Sequence, residues 1–348
     1  MTYNKSSNEN IEPPFNYNKR KFNTLKIHPP YSKLPIYSRK IYLNNNLIFD
    51  KATKKRIQSL GIPPAYVKKI SVVAKSPDND IQFMGVNDKH QVQYIYHPNH
   101  TKRQTREKYI NVQNLGRIIP RIETDVTTQI QNISKKQNIA RDDLFSIILY
   151  MLIKYHFRIG NIKYSNMNKS YGITTLKPNH IHLKSYPQFE IKFIGKKGIE
   201  NKITDNNSSM WRILSKLSKN NINNFIFQLN GNDLISPKMM KEYLVNKYKT
   251  YITPKMFRTW YANYHLLDYL QKHKSNVFKA ENKREQKQCV NDAVQYVSIK
   301  LNNTPGISRK AYVNNKMFNI ILNNPKSFIK QIPRNDIHQY LMKIMKKI

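Results

Sequence analysis

The chain has 348 residues, with 60 Lys and Arg against 21 Asp and Glu, for a formal net charge of +39. That length allows two domains and a sizeable core, and a fold this basic repels itself unless it meets a polyanion, so nucleic acid is the expected partner. The lone Cys289 excludes an intrachain disulfide and a cysteine-built zinc site, and no apolar run approaches the ~18 residues of a membrane span. Met1-Thr-Tyr-Asn-Lys lacks the apolar core of a secretory signal, so an intracellular protein in a reducing compartment is expected, with no membrane partner. A bias towards Lys, Asn and Ile accounts for many of the lysines but not for the scarcity of acids.

Residues 1–45 are rich in Asn, Lys, Tyr, Pro and Ser, and Pro13-Pro14, Pro29-Pro30 and Pro35 break any helix. The expectation is a basic, mostly disordered arm that tracks DNA phosphates or merely solubilises. From 46 to 125 the pattern is one of short strands, forming a β-rich N-terminal domain. These fall at Lys69–Lys75, Asp80–Val86 and Gln91–His97, with Asn87-Asp88-Lys89-His90 as a hairpin turn. Val92, Tyr94 and Tyr96 share one strand face. With Lys102, Arg103, Arg106 and Lys108 following, that face suits a DNA groove, and an inward face on a small core is the equal alternative.

From 126 to 348 the chain reads as a mainly helical domain. Asp142-Asp143 opens a helix that the pattern carries to Gly160, placing Arg158 in its last turn. Phe189, Ile191 and Phe193 alternate with polar residues, and Gly195-Lys196-Lys197-Gly198 reads as the turn of a hairpin. Ser236-Pro237 and Thr253-Pro254 are N-cap plus N1 pairs. Cys289, Val290, Ala293, Val294, Val297 and Leu301 form a helical stripe, and a last amphipathic helix carries Ile337, Tyr340, Leu341, Ile344 and Met345.

Between these two helices lies Asn302-Asn303-Thr304-Pro305, then Ser308-Arg309-Lys310-Ala311-Tyr312. A tyrosine hydroxyl, with a free pKa of about 10, needs cationic neighbours to attack a phosphodiester. Taken alone, the segment is equally well a surface tyrosine in a loop. Three basic stations precede it: Phe157-Arg158-Ile159-Gly160, Phe193-Ile194-Gly195-Lys196 and Lys255-Met256-Phe257-Arg258-Thr259.

The order Arg158, Lys196, Arg258, Asn303, Tyr312 resembles the catalytic pentad of type IB DNA topoisomerases, particularly their short poxvirus and bacterial forms. The resemblance runs over about 46–348. It includes Ile62-Pro63-Pro64-Ala65-Tyr66, Gln93-Tyr94-Ile95-Tyr96, Tyr171-Gly172-Ile173-Thr174-Thr175-Leu176-Lys177, Lys255-x-x-Arg258-Thr259 and Ser308-x-x-x-Tyr312. It implies an α+β protein with a small β-rich domain and a larger, mainly α catalytic domain of the topoisomerase IB/tyrosine recombinase type. It implies Tyr312 as nucleophile, Arg158 and Arg258 on the phosphate oxygens, Lys196 as general acid, and Asn303 as a neutral donor where other members carry histidine. Tyr94, Tyr96, Lys163, Tyr164 and Lys255 would touch DNA. No ATP, other cofactor or metal is implied, and the sequence has neither a P-loop nor an acidic cluster. A monomer would grip double-stranded DNA with its two domains, in a viral factory, virion or nucleus. The compact form and the codon bias fit a large DNA virus. Two rivals stand beside this reading. A tyrosine recombinase shares the chemistry but uses His-x-x-Arg at the third station, and a noncatalytic packaging protein would leave the pentad unexplained.

Overall fold

The computed structural model describes residues 16–28, 39–66, 71–88, 90–220, 225–229 and 233–347. The chain divides into two compact units, Met1–Glu107 and Lys108–Ile348.

Among the described residues the first unit holds a six-stranded sheet, one whole helix and the first turns of a second. Its strands are β1 (Phe22–His28), β2 (Lys40–Leu43), β3 (Asn46–Leu47), β4 (Ser71–Ala74), β5 (Ile81–Val86) and β6 (Val92–Tyr96), in the spatial order β3-β2-β1-β4-β5-β6. Every pairing is antiparallel. Helix α1 (Lys51–Ser59) is opened by Asp50, whose carboxylate accepts from the Ala52 and Thr53 amides. Leu25, Ile27, Ile41, Leu43, Ile57, Ile62, Val73 and Phe83 form the core.

The expected disordered arm is corrected here, because β1 and β2 lie within residues 1–45. Strand β1 sits inside the sheet, with Leu25 opposite Leu43 on one side and Phe22 opposite Ala74 on the other. The remainder of the arm call, residues 1–15 and 29–38, lies outside the described residues. Four of the eight core residues (Leu25, Ile27, Ile41 and Leu43) would leave with a deletion of 1–45. At about 1.5–3 kcal/mol for each buried aliphatic side chain, that loss is roughly 6–12 kcal/mol, comparable to the whole stability of a small domain. Protein starting at residue 46 is therefore expected to lose hydrogen-exchange protection throughout β4 and β5. Full protection in the truncated chain would show that β1 is dispensable.

The strands expected from Asp80 and Gln91 are found as β5 and β6, and Asn87 N–H donates to Gln91 C=O across their turn. Tyr94 and Tyr96 face solvent, not a core. Their rings stack at 5.9 Å, and Tyr96 stacks on His100 at 4.9 Å.

Helical structure begins earlier than residue 126. Helix α2 runs over Pro98–Lys135, and the division between the units falls inside it. Its first turns are basic and exposed, while Val112, Leu115, Ile119, Ile122, Val126, Ile130 and Ile133 are buried. The second unit continues with α3 (Arg141–Lys154) and α4 (Ile162–Asn168). A three-stranded antiparallel sheet follows, β7 (Ile181–Leu183), β8 (Gln188–Ile194) and β9 (Glu200–Asn206). Then come α5 (Ser208–Asn220), α6 (Pro237–Tyr248), α7 (Pro254–Lys272), α8 (Lys274–Lys279) and α9 (Lys283–Lys300). The chain closes with α10 (Pro305–Ala311), α11 (Asn315–Asn323), α12 (Pro325–Lys330) and α13 (Ile337–Lys347). Helix α3 carries no charge between Asp143 and Lys154 and is buried on all sides, the pattern of a central helix. Helices α7 and α9 pack together, contributing Phe257, Trp260, Leu266, Val290, Val294 and Val297 to the same core. Among the described residues no helix is long and apolar enough to cross a membrane.

Candidate active site

Tyr312 is 6% exposed. It closes α10, its amide donating to Ser308 C=O at 3.2 Å. A surface tyrosine in a loop is thereby excluded. The turn before α10 follows from its residue types. Asn302 takes a left-handed conformation, φ 47°, which asparagine tolerates better than most residues. Asn303 N–H then reaches back to Ser298 C=O, ending α9. Thr304 caps α10 through its hydroxyl, with Pro305 at N1.

Arg258 lies in the second turn of α7 and is 2% exposed. Its Nη2 donates to Leu301 C=O at 2.7 Å, satisfying a carbonyl at the end of α9. Its Nε lies 3.4 Å from Tyr312 Oη, and the guanidinium stands 5.2 Å from the Tyr312 ring centroid. Burial lowers the Arg258 pKa to about 10, so it stays charged at neutral pH. Burial also pushes the Tyr312 phenol upward. The Arg258 charge and hydrogen bond outweigh it, helped by Arg158 and Lys255, and hold the phenol below its ordinary value.

Arg158 does not sit in a helical turn as the sequence pattern implied. Helix α3 stops at Lys154, and the chain turns away through His156 at φ 53°. Phe157, fully buried against Phe193, anchors the extended segment that follows. That segment is held from behind, since Ile173 N–H donates to Arg158 C=O at 2.9 Å and Thr174 N–H to Ile159 C=O at 2.7 Å. Gly172 permits this approach, because a Cβ there would lie 2.6 Å from the Arg158 carbonyl oxygen. Arg158 Nη2 donates to Asn303 Oδ1 at 2.5 Å.

The structure thus gathers Arg158, Arg258, Asn303 and Tyr312. Among the described residues, two buried donors in this group have no partner, Arg258 Nη1 and Asn303 Nδ2. An anion with several acceptor oxygens fits such donors. Lys196 stands apart. It is exposed at the tip of the β8–β9 hairpin, as expected, and among the described residues it makes no hydrogen bond or ion pair with the other four. Gly195 is buried against Asn201, where a Cβ would lie 2.3 Å from Asn201 Nδ2. Lys255 is exposed in the first turn of α7, and its charge acts on Tyr312. Lys163 and Tyr164 are exposed on α4.

Three residues escaped the sequence reading. Asn263 is fully buried one turn beyond Arg258, and its Nδ2 donates to Tyr312 C=O at 3.0 Å. Lys108 Nζ donates to Ala311 C=O at 2.9 Å, and Tyr109 Oη to Val313 C=O at 3.1 Å. The only signal for Asn263 is a polar residue on the apolar face of α7. Lys108 looked like one more cation in a basic run. Among the described residues no three His, Cys, Asp or Glu side chains are placed to hold a metal ion.

A family model for the catalytic core of eukaryotic DNA topoisomerase I matches residues 98–344. The chain is 27% identical to a protein named DNA topoisomerase 1B of Acanthamoeba polyphaga mimivirus over 312 residues, covering 88% of this chain and 90% of that protein. It is 24% identical to the DNA topoisomerase 1B of vaccinia virus (strain Copenhagen) over 275 residues, 74% of this chain and 77% of the relative. A DNA topoisomerase 1 of rabbit fibroma virus (strain Kasza) is 25% identical over 237 residues, 67% of this chain and 69% of the relative. The matched region contains the buried tyrosine and both arginines that flank it, and the chain belongs to the type IB DNA topoisomerase family.

Proposed function

We propose that this protein relaxes supercoiled double-stranded DNA as a single chain, by reversible cleavage of one strand through Tyr312, without ATP or metal. The observation that carries this is the buried Tyr312 phenol against Arg258, with unpaired donors on Arg258 and Asn303 beside it. Tyr312 Oη attacks the scissile phosphorus and loses its proton to solvent. A pentacoordinate phosphorane forms, and the bond from phosphorus to the 5′ oxygen breaks. The strand stays attached as a 3′-phosphotyrosyl ester. The freed 5′ oxygen takes a proton from Lys196, and religation reverses each step. The nonbridging oxygens gain charge as the phosphorane forms, and the two guanidinium groups and the Asn303 amide stabilise it. Family membership and the Lys255-x-x-Arg258 station favour this over a recombinase or a packaging protein.

The test is plasmid relaxation in EDTA without ATP. Both positive and negative supercoils should relax, since a swivelling strand has no preferred hand. An absolute requirement for ATP, or action on negative supercoils alone, would sink the proposal.

Lys196→Ala should slow cleavage of an ordinary phosphodiester. A sulfur in place of the scissile 5′ oxygen should restore much of the rate, because a thiolate leaves without a proton. Equal slowing on the two substrates would remove Lys196 from the acid role. Its exposed position at a hairpin tip supports a side chain that engages only when DNA is bound.

Asn303→His should retain substantial activity, since an imidazole N–H can replace the amide donor. Asn303→Ala should lose about 10²–10³ in cleavage rate, as is typical for one transition-state donor. Alanine matching asparagine in single-turnover cleavage would show that this side chain never meets the phosphate.

A further inference from the structure

Residues 311–314 are tied down by side chains from two helices. The carbonyls of Ala311, Tyr312 and Val313 accept in turn from Lys108 Nζ, Asn263 Nδ2 and Tyr109 Oη. The Asn314 amide donates to Asn263 Oδ1 at 2.8 Å. Here α10 ends and the chain leaves helical geometry, with Tyr312 at φ −124° and ψ −41°. Carbonyls at a helix end have lost their intrahelical partners and rotate freely unless something else binds them. Water could satisfy them equally well, but only fixed donors fix the backbone.

We propose that Lys108 and Tyr109 are positioning residues, which aim the Tyr312 phenol by holding the carbonyls of Ala311 and Val313, the residues on either side of it. The phenol swings about the Tyr312 Cα, so a small rotation of the Ala311–Tyr312 peptide, or of the Val313–Asn314 peptide passed back through Val313, displaces Oη relative to the phosphorus. Such a displacement costs rate without costing affinity. Tyr109 suits the task, because burial pushes its pKa to about 12 and it keeps its proton to donate. Lys108 is held at a disadvantage, since burial and the nearby Lys255 charge lower its pKa to about 8.

The proposal rests on Tyr312 being the nucleophile, and the experiment keeps the two apart. Full-length wild type, Lys108→Met, Lys108→Arg, Tyr109→Phe and the Lys108→Met/Tyr109→Phe double variant are compared. Each is assayed for single-turnover cleavage of a suicide duplex and, separately, for duplex affinity. Each deletion of a donor should slow cleavage about fivefold to tenfold, one hydrogen bond's effect, and the double variant roughly 25- to 100-fold. Affinity for the duplex should stay within about twofold in Tyr109→Phe, which removes one oxygen and no charge. Lys108→Arg, keeping a donor and the charge, should recover most of the rate. A double variant cleaving at the wild-type rate overturns the positioning role, as does a slowing matched by an equal loss of affinity. Wild type forming no adduct at Tyr312 overturns the nucleophile assignment itself, and the positioning role with it.

Discussion

Tyr312→Phe is expected to abolish both the covalent adduct and relaxation while duplex binding stays near wild type. The change removes one oxygen from a residue that is 6% exposed and leaves its ring packed. It alters no charge, so the electrostatic contribution that dominates affinity for duplex DNA survives. Only the attacking atom is lost. The chain has 23 tyrosines, so the assignment discriminates among many. Among the described tyrosines whose phenol is shifted, Tyr312 is the one held below its ordinary value, against the upward push of burial, by Arg258, Arg158 and Lys255. Buried tyrosines elsewhere go the other way, Tyr155 and Tyr261 both being raised by burial and by nearby anionic or phenolic groups. The measurement is a denaturant-stable adduct on a suicide substrate, followed by peptide mapping. An adduct persisting in Tyr312→Phe, or mapping to Tyr296 or Tyr340, would overturn the assignment.

Much of this site was legible because its parts are local. The Asn-Thr-Pro turn is written by short-range rules, with asparagine tolerating φ 47° at position 302, threonine capping and proline at N1. The β8–β9 hairpin was visible in its alternation and glycines, and the α9 stripe in its helical period. What escaped was nonlocal. Strand β1 has only Leu25 and Ile27 as a buried apolar pair, and its partners are Leu43 and, further on, Ala74. Nothing near residue 25 announces a strand completed by residues almost 50 positions later. Helix α3 was expected to extend to Gly160 because glycine suits the residue just past a helix end. Yet Phe157 packs on Phe193 of the small sheet, and tertiary contact decided the matter. Lys108 could not be told from its exposed basic neighbours, since only the folded chain shows which lysine is half-buried against Ala311.

Arg258 should prove nearly as intolerant as Tyr312, and replacement by lysine should not rescue it. Its guanidinium serves three directions at once: Nη2 on Leu301 C=O at 2.7 Å, Nε towards Tyr312 Oη at 3.4 Å, and Nη1 unpaired. One ammonium cannot reproduce that planar fork. Arg258→Lys is expected to lose about 10²–10³ in cleavage rate, the effect of one transition-state donor, and Arg258→Ala about 10³ or more. The alanine variant also leaves Leu301 C=O without its partner. It should shift the pH dependence too. Arg258 is the largest influence lowering the Tyr312 phenol, opposed by burial. With Arg258 gone the burial remains, so the phenol rises and the rate should climb to its plateau at higher pH than in wild type. Single-turnover cleavage across a pH series, with duplex affinity measured alongside, reads both effects. If Arg258→Lys cleaves at the wild-type rate, or if Arg258→Ala is slower with an unshifted pH profile, the fork is not what activates the tyrosine. The rate loss would then come from the missing donor to the phosphorane, or from Leu301 C=O at the end of α9 left without its partner.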